Sequence, residues 1–209
     1  MDRELEQTGP RSPLHGIPIG VKDIYYTKGL KTTACSKVYK DFIPDYDATS
    51  VKKLKTSGAI ILGKTVTTEF AAGDPPPTIN PWSRSHTPGG SSSGSAVAIA
   101  DRMVLGAMGS QTGGSIIRPS SYNGIVGLKP TYGLLSRHGL TPLAWSMDHP
   151  GPMVRTVEDA AIVLNAISGA DHNDKTTYDH PENDYTAALS ENIKDLKIGI
   201  IKEFFDDFI

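Results

Sequence analysis

Two loops rich in glycine and serine carry the residues of this chain that are best suited to chemistry. The first spans residues 89–96 with the sequence GGSSSGSA, and the second spans residues 112–119 with TGGSIIRP. Glycine allows sharp bends and lets main-chain N–H groups approach a small ligand closely. Serine hydroxyls in such loops suit a nucleophile beside an oxyanion site, and the same backbone suits a phosphate cradle.

The phosphate interpretation lacks one essential residue. A P-loop has two glycines separated by four residues and then a lysine, whose charge neutralises the phosphates. Gly89 and Gly94 have this spacing, but Ser95 occupies the lysine position. The dinucleotide motif G-x-G-x-x-G and the metalloprotease motif H-E-x-x-H are absent, and the six histidines have no ligand spacing. We therefore expect no metal and no other cofactor.

A serine nucleophile needs a base, because a hydroxyl is a weak nucleophile at neutral pH. The G-x-S-x-G elbow of the α/β-hydrolases does not fit Ser115, since Ile117 stands where the second glycine belongs. No histidine is assigned as the base, but Lys22 follows the apolar run at residues 17–21. Burial lowers the pKa of a lysine, and Ser–Lys arrangements are a known variant of the catalytic triad.

Helices and strands alternate around these loops. Hydrophobic patterns and capping signals predict strands at residues 17–21, 59–66, 104–108 and 196–201, and helices at residues 47–56, 95–103 and 156–167. The strand at residues 59–66 is expected to be buried, and Gly58 is expected to stop the helix before it. The alternation predicts an α/β fold with a mixed, mostly parallel central sheet flanked by helices.

Length and composition limit the possible partners. The 209 residues fit a polar tail at residues 1–13 and a single domain at residues 14–209. The net charge of −2 and the scattered cations give no basic field, so no direct nucleic-acid contact is expected. Cys35 is the one cysteine, which excludes an internal disulfide. The sequence contains neither a signal peptide nor a membrane-length apolar run, so we expect a cytoplasmic protein without membrane contact.

The last residues predict a domain that is truncated at its C-terminus. The strand at residues 196–201 is followed by residues 202–209, which begin an amphipathic helix and contain three phenylalanines. No predicted element is available to pack against these aromatic side chains. We expect a homo-oligomer or a partner subunit to cover the exposed face.

Seven motifs, in order along the chain, resemble the amidase signature family. They are GIPIGVKD at residues 16–23, TTEF at 67–70, NPW at 80–82, PGGSSSGSA at 88–96, QTGGSIIRP at 111–119, GLKPTYG at 127–133 and SRHGL at 136–140. The resemblance runs from about residue 14 to residue 209. It implies the N-terminal portion of the amidase signature fold, and hydrolysis of a small-molecule carboxamide to a carboxylate and ammonia or an amine.

The resemblance also assigns a role to each residue of a Ser–cisSer–Lys triad. Ser115 in TGGS would be the acylating nucleophile, and Lys22 in VKD would be the base. Ser91, which lies 24 residues before Ser115, would carry protons between them and would follow a cis peptide bond. An acyl-enzyme forms on Ser115 in this scheme and is then hydrolysed by water.

The oxyanion site implied by the resemblance consists of backbone N–H groups at Thr112, Gly113, Gly114 and Ser115. We expect the two glycines to give a tight turn and to allow close approach of the backbone. Two nearby residues depart from the family pattern. Gln111 stands where many members have aspartate, and Ile117 stands where many have arginine, with the arginine one residue later at Arg118. We expect these changes to affect substrate placement or loop packing.

Three functions are compatible with the motifs. The first is a stand-alone amidase, which the short proline-rich segment at residues 74–77 favours. The second is the A subunit of an aminoacyl-tRNA amidotransferase that acts on Glu-tRNA(Gln) or Asp-tRNA(Asn) and releases ammonia from glutamine for a partner. The third is a truncated, folded module without catalytic activity.

Overall fold

The computed structural model describes residues 2–73, 75–178, 184–190, 192–201 and 203. The strands in these residues are β1 (Pro18–Lys22), β2 (Ile60–Thr65), β3 (Gly106–Gln111), β4 (Val126–Gly127) and β5 (His149–Val154). The α-helices are α1 (Asp2–Thr8), α2 (Thr49–Thr56), α3 (Ser93–Ala100), α4 (Ile117–Asn123) and α5 (Val157–Ile167). Short 3₁₀ helices lie at Glu69–Ala71 and Ala187–Ser190.

The five strands form one sheet in the order β2-β1-β3-β5-β4. β1 runs parallel to both β2 and β3, whereas β5 is antiparallel to its neighbours β3 and β4. Four strands therefore share one direction and β5 opposes them. This confirms the predicted α/β fold with a mixed, mostly parallel sheet.

Apolar side chains cover both faces of the sheet, as alternation along each strand requires. Met108 and Val154 belong to the core that α2 and α5 complete. Their neighbours Ala107 and Met153 contribute to two smaller clusters that contain residues of α3. Burying a side chain of the size of Met108 contributes about 1.5–3 kcal/mol. The core and the two smaller clusters together pack against β3 and β5 from both faces of the sheet.

Several predicted elements are confirmed with small shifts of their ends. α2 ends before Gly58, whose φ of +88° favours glycine. α5 begins with the predicted cap, because the Thr156 hydroxyl accepts from the Asp159 N–H at 3.0 Å and the Asp159 carboxylate accepts from the Thr156 N–H at 3.3 Å. α1 lies within the segment that the sequence predicts to be a polar tail.

Two strand predictions are corrected by the structure. β2 is an edge strand, not a buried one, and its Ile60 and Leu62 side chains are 41% and 60% exposed. Residues 196–201 belong to no strand, although Leu196 and Ile198 are strongly apolar. A strand needs a backbone partner, and the described part of the chain offers none to this segment. The predicted amphipathic segment at residues 202–209 lies outside the described residues, apart from Glu203.

Among the described residues, no helix has both the length and the hydrophobicity that a membrane span requires.

Candidate active site

Strand ends bring the predicted lysine to the glycine-rich loops. Lys22 is the last residue of β1, and Gln111 is the last residue of the neighbouring parallel strand β3. The carboxyl ends of parallel strands lie at the same edge of a sheet, where ligand sites of α/β proteins are commonly found. The second loop begins directly after Gln111, so the topology alone places it next to Lys22.

The Lys22 side chain is fully buried and is surrounded by hydroxyl groups. Its Nζ lies 2.7 Å from Ser91 Oγ, 2.9 Å from Ser92 Oγ and 2.8 Å from Ser110 Oγ. Burial lowers the pKa of the Lys22 ammonium well below its ordinary value of 10.5, and the charge of Asp148 opposes this shift. The lowered pKa favours the neutral amine, which can accept a proton.

The first loop holds Ser91 against Lys22. The Gly90–Ser91 peptide bond is cis, and Ser91 is buried. Gly89 has a φ of +73°, and a Cβ at this position would lie 3.0 Å from Pro119 Cα, so glycine is required here. Gly94 is required for a different reason, since a Cβ there would overlap the Val66 backbone.

Ser115 lies in the second loop, two residues before α4, and its side chain is 8% exposed. Its carbonyl oxygen accepts from the Ser92 N–H at 3.3 Å, which joins the two loops. Among the described residues, no hydrogen bond connects the Ser115 hydroxyl with Ser91. The structure therefore brings Lys22 and Ser91 into direct contact and joins the backbone of Ser115 to Ser92, the residue after Ser91.

Gln111 organises the second loop with three hydrogen bonds. Its Oε1 accepts from the N–H groups of Ile116 and Ile117, each at 3.0 Å, at the start of α4. Its Nε2 donates to the carbonyl oxygen of Gly113 at 3.0 Å. An ionised aspartate only accepts hydrogen bonds and has nothing to donate to this carbonyl. Gln111 thus makes a hydrogen bond within the second loop that an aspartate at this position would lack.

The turn that contains Gly113 and Gly114 does not need glycine for its conformation. Neither residue has a positive φ. A Cβ on Gly113 would meet no described atom within 4 Å, and one on Gly114 would lie 3.8 Å from Arg118 Cβ. The expected turn therefore does not depend on a left-handed backbone at either glycine. The N–H groups of Gly113, Gly114 and Ser115 have no acceptor in the described chain, so they remain available to a bound group.

Thr112 anchors the other end of the turn. Its hydroxyl donates to Asp148 Oδ1. The second carboxylate oxygen, Oδ2, accepts from the N–H groups of Leu143 and Ala144 at 2.9 and 3.0 Å. Asp148 therefore connects the glycine turn to the segment that follows residue 140. Apolar side chains of that segment, among them the exposed Trp145, line a depression beside Thr112.

Arg118, which lies one position after the arginine of the family pattern, contacts the first loop. Arg118, on the first turn of α4, donates from Nε and Nη2 to the carbonyl oxygen of Gly90 at 3.2 and 2.9 Å. This carbonyl belongs to the cis peptide bond that precedes Ser91. The guanidinium thus ties α4 to the first loop.

Sequence reasoning missed three residues of this arrangement, namely Ser110, Arg118 as a link between the loops, and Asp148. Ser110 was detectable, because it is a polar residue that lies two positions after the predicted apolar strand at residues 104–108. Asp148 had no such signal, since its partners lie on separate segments. No group of three potential metal ligands occurs among the described residues.

Comparisons with known proteins agree with the motif pattern. The sequence profile of the Amidase family matches residues 1–208. The A subunit of the glutamyl-tRNA(Gln) amidotransferase of Desulfatibacillum aliphaticivorans is 50% identical over 211 residues, which cover 98% of this chain and 43% of that protein. The chain therefore spans less than half of the length of this relative.

Solved structures show the same relationship. Native peptide amidase from Stenotrophomonas maltophilia matches with a TM-score of 0.85 and 44% identity, over 90% of this chain and 41% of that one. The A subunit of the glutamyl-tRNA(Gln) amidotransferase from Thermotoga maritima matches with a TM-score of 0.77 and 41% identity, over 85% and 44% of the two chains.

Proposed function

This chain belongs to the amidase family, and from that premise we propose that its two loops form an amidase centre that hydrolyses a carboxamide to a carboxylate and ammonia or an amine. The observation that carries the proposal is the contact of 2.7 Å between the buried Lys22 Nζ and Ser91 Oγ. Residues 14–209 form the N-terminal portion of an amidase signature domain in this proposal.

Acylation begins with a proton relay. Neutral Lys22 Nζ takes the proton of Ser91, and Ser91 Oγ takes the proton of Ser115 as Ser115 Oγ bonds to the amide carbon. The carbonyl oxygen becomes an oxyanion, which accepts hydrogen bonds from the N–H groups of the turn at residues 112–115. Losing one such donor commonly raises the barrier by about 3 kcal/mol.

Collapse of the tetrahedral species breaks the carbon–nitrogen bond. The proton held by Lys22 returns through Ser91 to the leaving nitrogen, and an acyl ester remains on Ser115. Water then gives a proton to the same relay as its oxygen bonds to the acyl carbon. Ser115 Oγ leaves with a returned proton, so that the enzyme ends in its starting state and no cofactor is needed.

The proposal is tested by measuring carboxylate and ammonia release from a panel of simple carboxamides and peptide amides. We expect turnover that Ser115→Ala abolishes while the unfolding midpoint stays within a few degrees. Full turnover by the Ser115→Ala protein would contradict the proposal.

A second candidate is the A subunit of a tRNA-dependent amidotransferase, supported by the 50% identity to a curated protein of that name. Glutamine would then be the amide, and a partner subunit would receive the ammonia. Glutamine-dependent amidation of Glu-tRNA(Gln) or Asp-tRNA(Asn) in the presence of the partner subunits distinguishes this candidate from a stand-alone amidase. That a homo-oligomer or a partner subunit covers the exposed face stays a prediction. The cytoplasmic location also stays a prediction.

The third candidate is a folded module without catalytic activity. Correctly folded protein that hydrolyses no amide and does not react with a serine-directed probe would favour this candidate.

A further inference from the structure

The depression beside Thr112 adds an apolar surface to the candidate active site. Ser110, near the end of β3, and Thr112, at the start of the glycine turn, belong to its lining. Leu140, Pro142 and Leu143 contribute apolar side chains to the same lining. Because Thr112 is also the first residue of the proposed oxyanion turn, a substituent of a carboxamide bound at this turn can reach the apolar surface.

The two charged residues of the lining already have protein partners. The carboxylate of Asp148 accepts from the Thr112 hydroxyl and from two backbone N–H groups of the segment that follows residue 140. Arg137 is 8% exposed, and its Nε lies 3.5 Å from Oδ2 of Asp174. A charged substituent would have to compete with these contacts, whereas an apolar one would not. The depression therefore suits an apolar group.

Trp145 is the largest side chain of the lining and is 68% exposed. Its carbonyl oxygen accepts from the Tyr132 hydroxyl at 2.8 Å and from Arg137 Nη1. The Arg137 guanidinium also lies over both rings, with its Cζ 5.8 Å from the Trp145 ring centroid and 4.9 Å from that of Tyr132. These contacts fix Trp145 mainly through its backbone and leave most of the indole uncovered.

The second tryptophan of the chain is held in a different way. Trp82 is 70% exposed, and its indole N–H donates to the Asn123 carbonyl oxygen at 2.9 Å. Among the described residues, the indole N–H of Trp145 has no acceptor. An aromatic side chain that is anchored, exposed and unused by the fold is typical of a binding residue, because it provides a large contact area and its ordering is already complete.

We propose that Trp145 is a specificity residue, which packs against an alkyl or aryl group of the carboxamide, and that Arg137 and Tyr132 are positioning residues, which hold it beside Thr112. This inference rests on the proposed amidase function and names the class of substrate. The apolar group can belong to the acyl part of the amide or to its amine. Kinetics with two series of amides distinguish these cases.

Acetamide, butanamide and hexanamide extend the acyl part, whereas N-butylacetamide and N-hexylacetamide extend the amine. We expect KM to fall by about two- to fourfold per methylene in one series, because burying a methylene favours binding by up to about fourfold. Trp145→Ala should raise KM for the longest amide of that series about tenfold, with little change in kcat and none for acetamide. Trp145→Phe, which keeps an aromatic ring, should recover most of the loss.

Tyr132→Phe tests the positioning of Trp145. It keeps the ring beside Arg137 but removes the hydroxyl that donates to the Trp145 carbonyl oxygen. KM for the longest amide should rise about two- to fivefold, while KM for acetamide should stay the same. A general loss of structure would affect both amides equally. Trp82→Phe is the matched control, since Trp82 has a similar exposure but does not line the depression, and it should leave the dependence of KM on chain length unchanged.

Tryptophan fluorescence tests the inference without turnover. Ser115→Ala combined with Trp82→Phe leaves Trp145 as the one tryptophan, and Ser115→Ala combined with Trp145→Phe leaves Trp82. Titration with hexanamide or N-hexylacetamide should change the Trp145 emission saturably and leave the Trp82 emission unchanged.

The two measurements separate this inference from the proposed amidase activity. A saturable change at Trp145, in a protein whose wild type hydrolyses no amide, would reject the proposed function alone. Unchanged Trp145 emission with both amides, or equal KM values for short and long amides in both series, would overturn the inference even if the protein hydrolyses amides.

Discussion

Arg118 donates two hydrogen bonds to the carbonyl oxygen of Gly90, from Nε at 3.2 Å and from Nη2 at 2.9 Å. The pair connects the first turn of α4 to the peptide bond before Ser91. Since α4 follows the loop that carries Ser115, the arginine fixes the distance between the two serine loops. A planar guanidinium makes both bonds at once, which a lysine does not.

Arg118→Lys should therefore lower kcat/KM even though it preserves the charge. We expect a loss of about five- to tenfold, because one or both hydrogen bonds to Gly90 are removed at a partly exposed site. Steady-state kinetics with a carboxamide substrate measure the loss. Arg155→Lys, at an exposed position just after β5, is the control and should leave kcat/KM unchanged. Equal kinetics for the two variants would show that the Arg118 contact is unimportant.

Gln111→Met tests the role of Gln111 in holding the second loop. Methionine has a similar length but forms none of the three hydrogen bonds to Gly113, Ile116 and Ile117. The free energy of unfolding should fall by about 1–3 kcal/mol. Gln111→Glu keeps the acceptor but loses the donor, so its loss should be smaller. Urea denaturation measures both, and a Gln111→Met protein as stable as the wild type would exclude this role.

Gly113→Ala and Gly94→Ala separate glycines that serve a ligand from glycines that serve the fold. A Cβ on Gly113 meets no described atom within 4 Å, whereas one on Gly94 overlaps the Val66 backbone. Gly113→Ala should change the unfolding free energy by less than about 0.5 kcal/mol. The same substitution should lower amidase activity at least about tenfold, because Gly113 contributes an N–H group to the proposed oxyanion site. Gly94→Ala should destabilise the protein by about 2 kcal/mol or more. Thermal unfolding and activity, measured on the same samples, check both; a fully active Gly113→Ala would remove that glycine from the oxyanion site.

The buried amine of Lys22 makes stability depend on pH. Its pKa is lowered by burial in the folded state and returns to about 10.5 on unfolding. Between these two values the unfolded chain binds more protons, so the free energy of unfolding should rise with pH. Lys64 has the same sign, because burial, opposed by Asp23, lowers its pKa to about 8.

Lys22→Met isolates the contribution of Lys22. The slope of unfolding free energy against pH should be smaller in this variant over the alkaline range up to pH 10.5. The slope is the informative quantity, since the substitution also removes the hydrogen bonds to Ser91, Ser92 and Ser110. Urea denaturation at several pH values measures this slope. Identical slopes in variant and wild type would mean that Lys22 titrates normally.

The sequence predicted those parts of the fold that local patterns determine. The capping box of Thr156 and Asp159 and the apolar run before Lys22 are local, and both predictions are confirmed. β5 was missed because it contains Pro150, Gly151 and Pro152, which are typical of loops. It forms a strand because β3 and β4 pair with it from both sides.

The candidate site was predictable to a different extent. The order of the motifs predicts Lys22, Ser91 and Ser115 as the catalytic residues, and the structure places Lys22 and Ser91 in contact. The parts contributed by Ser110 and Asp148 depend on contacts between segments that are distant in sequence. No periodicity or spacing encodes such contacts, because they arise only when the sheet assembles.

Labelling by a fluorophosphonate probe shows whether the relay from Ser115 through Ser91 to Lys22 activates Ser115. Mass spectrometry locates the label, and its rate of appearance is followed in wild type, Ser115→Ala, Ser91→Ala and Lys22→Ala. We expect a label on Ser115 in the wild type, none there in Ser115→Ala, and rates at least about 100-fold slower in the other two variants. A folded wild-type protein that leaves Ser115 unlabelled, or a Lys22→Ala protein that reacts at the wild-type rate, would contradict this relay.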